Sequence, residues 1–357
     1  MSRSATLPVP RWIWLALGVG ALLWFVFAVR GILLPFVLGL AIAYLLDPAA
    51  DRLERWMPRW LATVVALILF FGALLGILFL AAPILTQQFA GIIRVLPGYL
   101  EKIRPLLMDL VNQAGGTEQA KGLVSQYGGR IVSFVGERVG QVLAGGLQAF
   151  NILAMLLIAP VVAFYLLRDW DGIVAQITSL LPQDNAPVIR RLMGEADEAL
   201  SGFVRGQLTV CLCNAILYGV GWSLVGLEYA VVLGLITGLL AFIPFVGAFF
   251  GVSLAVITAL GQFGLDPLHL GLVLGVYAVV QAVEGNILIP KLVGDRVNLH
   301  AVWVIFALFA GGELMGFVGV FLAVPVAAVL AVLARYGLER YRASRFYGQP
   351  KPDPEAP

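Results

Sequence analysis

Two carboxylates lie inside long apolar tracts, where an ionised side chain costs roughly 2.5–3.5 kcal/mol on insertion scales and marks a functional position by default. Glu284 stands in VVQAVEGNILIPK, with Gln281 three positions before it and Asn286 two after it. Residues three apart share a helix face, so this trio reads as a protonatable or cation-binding carboxylate helped by neighbouring amides. The competing reading places Glu284 close enough to the membrane surface to reach water or pair with Lys291. Glu313 stands in GGELMG, at an expected break between two helices, where free backbone groups would join the acid in holding a solute or ion. If that stretch were an external loop between complete spans, Glu313 would simply be solvated. Asn214, inside another apolar run, reads as a partner for a neighbouring helix in preference to a solute. Arg205, at the start of that run, reads as an interface anchor.

Other chemistries lack their residues. The stretch GGTEQAKG is the nearest thing to a phosphate-binding loop, and it has no Gly before Lys121, so this chain does not read as an ATP-driven pump. Neither H-E-x-x-H nor G-x-S-x-G occurs, and no enzyme activity, cofactor or metal is expected. His269 and His300 lie in connections without a ligand-spaced partner. Cys211 and Cys213, two apart, face different sides of a helix and read as apolar packing.

The elements that must position these groups follow from composition. With 61% of residues hydrophobic and 12% charged, a chain of 357 residues cannot hide its apolar surface in a soluble core, so lipid must cover part of it. The net charge of +2 gives no basic stripe for nucleic acid. Spans of about 20 apolar residues are expected at 12–29 (uncleaved), 31–46, 60–82, 147–167, 206–226 and 268–289. The tracts 229–263 and 299–334 are too long for one crossing and each carries a breaker. In the first this is Pro244 to Gly247, and in the second Gly311, Gly312 and Gly316. Two re-entrant helical hairpins explain both tracts, although paired full spans would leave the loop charges equally well placed. The class is thus all-α: a polytopic integral membrane protein with about six crossing helices plus two hairpins, or about eight to ten spans.

Basic clusters after the spans put both termini in the cytoplasm, with Arg30 the exception. The chain divides into N-terminal transmembrane helices (1–82) and an extracytoplasmic amphipathic helical module (83–146). A transmembrane helix with a cytoplasmic amphipathic helix follows (147–205), then a transport core of two span-plus-hairpin units (206–335) and a cytoplasmic disordered tail (336–357). Units 206–263 and 268–334 start on opposite sides, giving an inverted repeat with a solute site where they meet.

Five strings taken in order resemble the autoinducer-2 exporter family of bacterial membrane proteins: LLPFVLGLAIAYLLDP (33–48), APVVAFYLLRDWD (159–171), AFIPFVGAFFG (241–251), NILIPKLVGDRVNLH (286–300) and AGGELMGFVGVFLAVP (310–325). Ala301 stands where that family usually has Pro. The resemblance implies a homo-oligomeric inner-membrane transporter, with family members linked to autoinducer-2 export and to sodium/proton exchange. The expected function is a secondary exporter of a small polar solute driven by a proton or sodium gradient, with Glu284 and Glu313 as coupling acids. A sodium/proton antiporter is the alternative within transport, and a membrane scaffold acting through 83–146 the alternative outside it. Cysteines placed at Gly247 and Gly316 test the fold-back: labelling by an aqueous reagent is expected, and uniform lipid burial at both sites removes it.

Overall fold

The computed structural model describes residues 32–113, 146–181, 185–294, 299–344 and 347, together with seven residues between 18 and 29. Most of the expected first span, the module's 114–145 stretch and, in the tail, residues 345–346 and 348–357 lie outside the described residues. Among the described residues every regular element is helical. They are α1 (Leu33–Glu54), α2 (Arg59–Gln113), α3 (Gly146–Ser179), α4 (Ala186–Leu224), α5 (Ala230–Leu240), α6 (Val246–Phe263), α7 (Pro267–Val283), which continues as a π-helix (Glu284–Val293), and α8 (Ala301–Arg342). Within this all-α class, six of the helices are long and apolar enough to cross a membrane: α1, α2, α4, α6, α7 with its π extension, and α8. An apolar medium forces this outcome, because a helix satisfies its own peptide groups.

Three helices run further than the spans read from the sequence. α2 continues unbroken from the span through residue 83, where the separate module was expected to begin, as far as Gln113. The amphipathic stretch 184–205 and the span 206–226 merge into the single helix α4. α8 carries on through residues 336–342, assigned above to the tail.

Small residues decide how closely the helices approach. Ala159 and Ala163 of α3 are buried beside Gly39 of α1, where a Cβ would lie 2.7 Å from Val162. On α4, Ala215 and Gly219 face Gly238 and Gly234 of α5. Cβ atoms added at those two glycines would meet α4 backbone nitrogens at 2.5 and 2.3 Å. Such backbone contact is what small-residue stripes permit. α4 is the hub, touching α1, α5, α7, the π-helix and α8. The largest buried cluster sits around its Tyr218 and Trp222, with Ile92 of α2, Leu233 of α5, Ala259 of α6 and Val273 of α7.

Both overlong tracts fold back. α5 and α6 form an antiparallel hairpin in which Gly251 packs on Thr237 and Gly247 on Ala241. The reversal is carried by Phe245, at φ 68°, while Gly247 lies inside α6. In α8 the ladder is interrupted at Gly316 (φ 61°, ψ −139°), and the chain returns so that a Cβ on Gly319 would sit 1.9 Å from the Gly311 carbonyl. Gly311 and Gly312, read as part of the break, are helical residues of the incoming arm, and Gly316 alone makes the turn. The 11 residues of α5 span only about 16 Å, against a hydrocarbon core of about 30 Å. Gly247 cannot take a side chain without displacing the Ala241 backbone, so the exposed Phe245 beside it is the better place for an accessibility probe.

Close packing sets a clear expectation for the glycines. Gly238→Ala pushes a methyl into the α4 backbone and should cost about 1–3 kcal/mol, whereas Gly271→Ala, with open space at its Cβ position, should be neutral or stabilising. Thermal unfolding in detergent micelles checks the pair; equal midpoints would contradict the packing described.

Candidate functional site

α4 and α7 run antiparallel and exchange their polar side chains in a ladder. At one end the Trp222 indole donates to the Val273 carbonyl (3.3 Å). In the middle the Tyr218 hydroxyl donates to Gln281 Oε1 (3.1 Å), its ring stacked on Trp222 and Tyr277. At the other end Asn214 Nδ2 donates to Glu284 Oε2 (2.8 Å). Asn214, Tyr218 and Trp222 are four apart and therefore stack on one face of α4. The structure brings together three of the residues singled out from sequence, Asn214, Gln281 and Glu284, and adds Tyr218, whose hydroxyl was hidden among apolar neighbours.

The ladder leaves one atom over. Asn214 is wholly buried, and its Oδ1 has no hydrogen-bond partner among the described residues. A buried amide oxygen without a donor costs about 1–3 kcal/mol, and here it stands on the same side chain that holds a half-buried carboxylate. Two oxygen acceptors with one amide donor between them form a place for a proton or a small cation.

The helix changes its winding at the same residue. From Glu284 the hydrogen bonds become i→i+5, a departure frequent at functional sites. Pro290 supplies the local cause, since it has no N–H for the α ladder. Asn286 does not reach Glu284; its Nδ2 donates to the Ala282 carbonyl (2.8 Å) and the side chain is exposed. Lys291 is exposed and makes no ion pair with Glu284. The far end of the π-helix packs on α4, where Gly206 lies against the Leu292 carbonyl.

Seven residues before Asn214, on the same face, Gln207 Nε2 donates to the Ala241 carbonyl (2.6 Å). That bond closes the last turn of α5, which is the bend of the first hairpin. Phe242 in this bend stacks on Phe321 of the second hairpin with centroids 4.1 Å apart, so the two fold-backs meet. Glu313 lies elsewhere, exposed on the rim of a groove of about 620 Å³ between the two bends, with no hydrogen bond or ion pair among the described residues.

A second polar cluster was not foreseen. Arg59, at the start of α2, donates to Asp47, Asp51 and Glu54 of α1 and to the Leu167 carbonyl of α3. Arg205 of α4 is no simple interface anchor: its Nε donates to the Tyr44 carbonyl (2.6 Å) and its guanidinium pairs with Asp47 at 3.5 Å. The Tyr44 hydroxyl donates to Asp197 of α4 (2.9 Å). All but Glu54 border a cavity of about 270 Å³, and together these groups bind four helices. The spacing of Asp47, Asp51 and Glu54 (i, i+4, i+7) was the available signal, since it aligns three acids beside one arginine. Both histidines lie at helix starts, His300 as a cap and His269 as the partner of one. The Asp266 side chain accepts from the Leu268 N–H at the start of α7, and the hydrogen bond from His269 holds its carboxyl below the usual carboxylate range. His300 Nδ1 accepts from the Val302 N–H at the start of α8.

The family described as AI-2E family transporter matches residues 12–339. YrrI of Bacillus subtilis, named as a candidate transport protein, is 32% identical over 87% of this chain and 89% of its own. PerM of Escherichia coli K12, named as a candidate permease, is 30% identical over 85% of this chain and 87% of its own.

The Asn214–Glu284 bond predicts a non-additive pair. Asn214→Ala should cost about 1–3 kcal/mol by stripping a half-buried carboxylate of its donor, and clearly less when Glu284→Gln is already present. Chemical denaturation in micelles measures the cycle; the same cost on both backgrounds would mean the two side chains are uncoupled.

Proposed function

The chain belongs to the AI-2E transporter family, a multi-pass membrane protein class, and from that premise we propose that it is a secondary exporter of a small polar solute resembling autoinducer-2, coupled to a cation gradient through Glu284. The observation that carries this reading is the carboxylate at the α-to-π junction, held by one Asn214 amide hydrogen while the Asn214 oxygen has no partner among the described residues. A group in that setting gains or loses a proton, or a cation, with little rearrangement of its neighbours. Gln281 and Tyr218 join the same polar face, and the two hairpins, which meet at Phe242 and Phe321, supply the broken backbone that carriers of this plan use for solute. The short α5 arm supports re-entrant hairpins over complete paired spans.

A sodium/proton antiporter is the second reading, favoured by the same Asn214 oxygen, which suits a desolvated sodium ion as well as it suits a proton relay. In either case the protein works as a homo-oligomer in the bacterial inner membrane, with both ends in the cytoplasm, as the family resemblance and the placement of basic residues suggest.

Flux in proteoliposomes tests the proposal. Glu284→Gln should abolish gradient-driven uptake or release, with loss of at least about tenfold for a group that must change charge in each cycle, while thermal stability in micelles stays near that of the parent chain. Unchanged flux would remove Glu284 from the mechanism. If added sodium alone moves internal pH and no polar solute is carried, the antiporter reading replaces the exporter.

A further inference from the structure

The groove between the two hairpin bends has a character opposite to that of the Asn214–Glu284 ladder. Phe245, Phe249 and Phe250 come from the first hairpin, and Ile305 and Phe309 from the incoming arm of the second. The aromatic rings are held outward: Phe249 is 66% exposed and Phe309 78%. Glu313 is the one charged residue among those lining the groove, and it lacks a hydrogen bond or ion pair among the described residues. None of the lining residues belongs to the ladder.

An apolar groove of this kind would hold a neutral hydrophobe, or an acyl chain, without any acid. A carboxylate beside apolar rings is costly in a membrane setting unless a cation reaches it. The rings themselves favour positive charge on their faces. The volume of about 620 Å³ suits a compact organic molecule and exceeds what a bare metal ion needs. We propose that this groove binds an amphiphilic monovalent cation, its ammonium or phosphonium centre at Glu313 and its apolar body against Phe245, Phe249 and Phe309. The site goes beyond the coupling role given to Glu284. Because both bends form it, an occupant spans the two hairpins and bears on any movement of one against the other.

Tetraphenylphosphonium is a fitting probe, since it is bulky, aromatic and singly charged. Equilibrium binding to the full chain in zwitterionic lipid nanodiscs, with empty nanodiscs subtracted, should saturate. Glu313→Gln should weaken it by about tenfold, the size expected when one partly exposed ion-pair contact is lost. Phe309→Leu should weaken it several-fold while keeping the acid, and it reads the same site should Glu313→Gln lose its fold. Glu101→Gln, which removes an exposed acid that does not line the groove, should leave it unchanged. Triphenylphosphine oxide, similar in body but neutral, should fail to compete. Absence of saturable binding, equal affinity in Glu313→Gln and the parent chain, or full competition by the neutral compound would each overturn the proposal. No gradient enters the measurement, so failure of the transport reading, seen in flux through Glu284, is separable from failure of this one.

Discussion

An unpaired peptide group in an apolar medium costs several kcal/mol, and the fold is arranged around the few places where helices stop. The first bend is tolerable because the Gln207 amide takes the Ala241 carbonyl that α5 leaves open. At the start of α5, Gln88 Oε1 of α2 accepts from the Val232 N–H. The connection before it is held by Gln262, which accepts from the Glu228 N–H and donates to the Gly226 carbonyl, and by the Tyr99 hydroxyl on Glu228. Side-chain amides stand in for water at these interruptions. Gln207, Gln88 and Gln262 thus each serve backbone groups at the ends of the first hairpin.

α4 gathers these demands on a single face. Gln207 serves the bend, Asn214 the carboxylate of the π-helix, Tyr218 the Gln281 amide and Trp222 the α7 backbone. Its approach to α5 is made of Ala215 and Gly219, small enough for backbones to touch. One helix thus joins the hairpin whose bend meets the second hairpin to the helix that carries the acid. At its other end, Arg205 and Asp197 tie it to α1. A shift of α4 along its axis would alter all of these pairings together, so the acid and the bends are mechanically linked.

Much of this was legible in the sequence for physical reasons. A tract of about 35 apolar residues exceeds a bilayer, and the chain reverses within each, at Phe245 after Pro244 and at Gly316. The isolated acid at 284 announced itself through its cost. What stayed hidden was pairing across sequence distance: Asn214 meets Glu284 from 70 positions away, and Arg205 meets Tyr44 from 161. Local rules also pointed to the wrong turn residue. Gly247 was the natural candidate for a left-handed conformation, yet Phe245 adopts it, because Gly247 is needed where α6 presses on Ala241. The polar residues after 83 begin on the continuation of α2, where Gln88 and Tyr99 serve the α4–α5 connection.

The wider winding after Glu284 has a consequence for azimuth. An α-helix rotates successive side chains by about 100°, and a π-helix by less, so over the ten residues to Val293 the chain falls steadily behind the phase it would otherwise keep. Leu292 and Val293 arrive against Gly206 only because of that lag. A helix wound normally from the acid onward would present a different flank to α4, and the dock that fixes the far end of the acid-bearing segment would swing out of alignment.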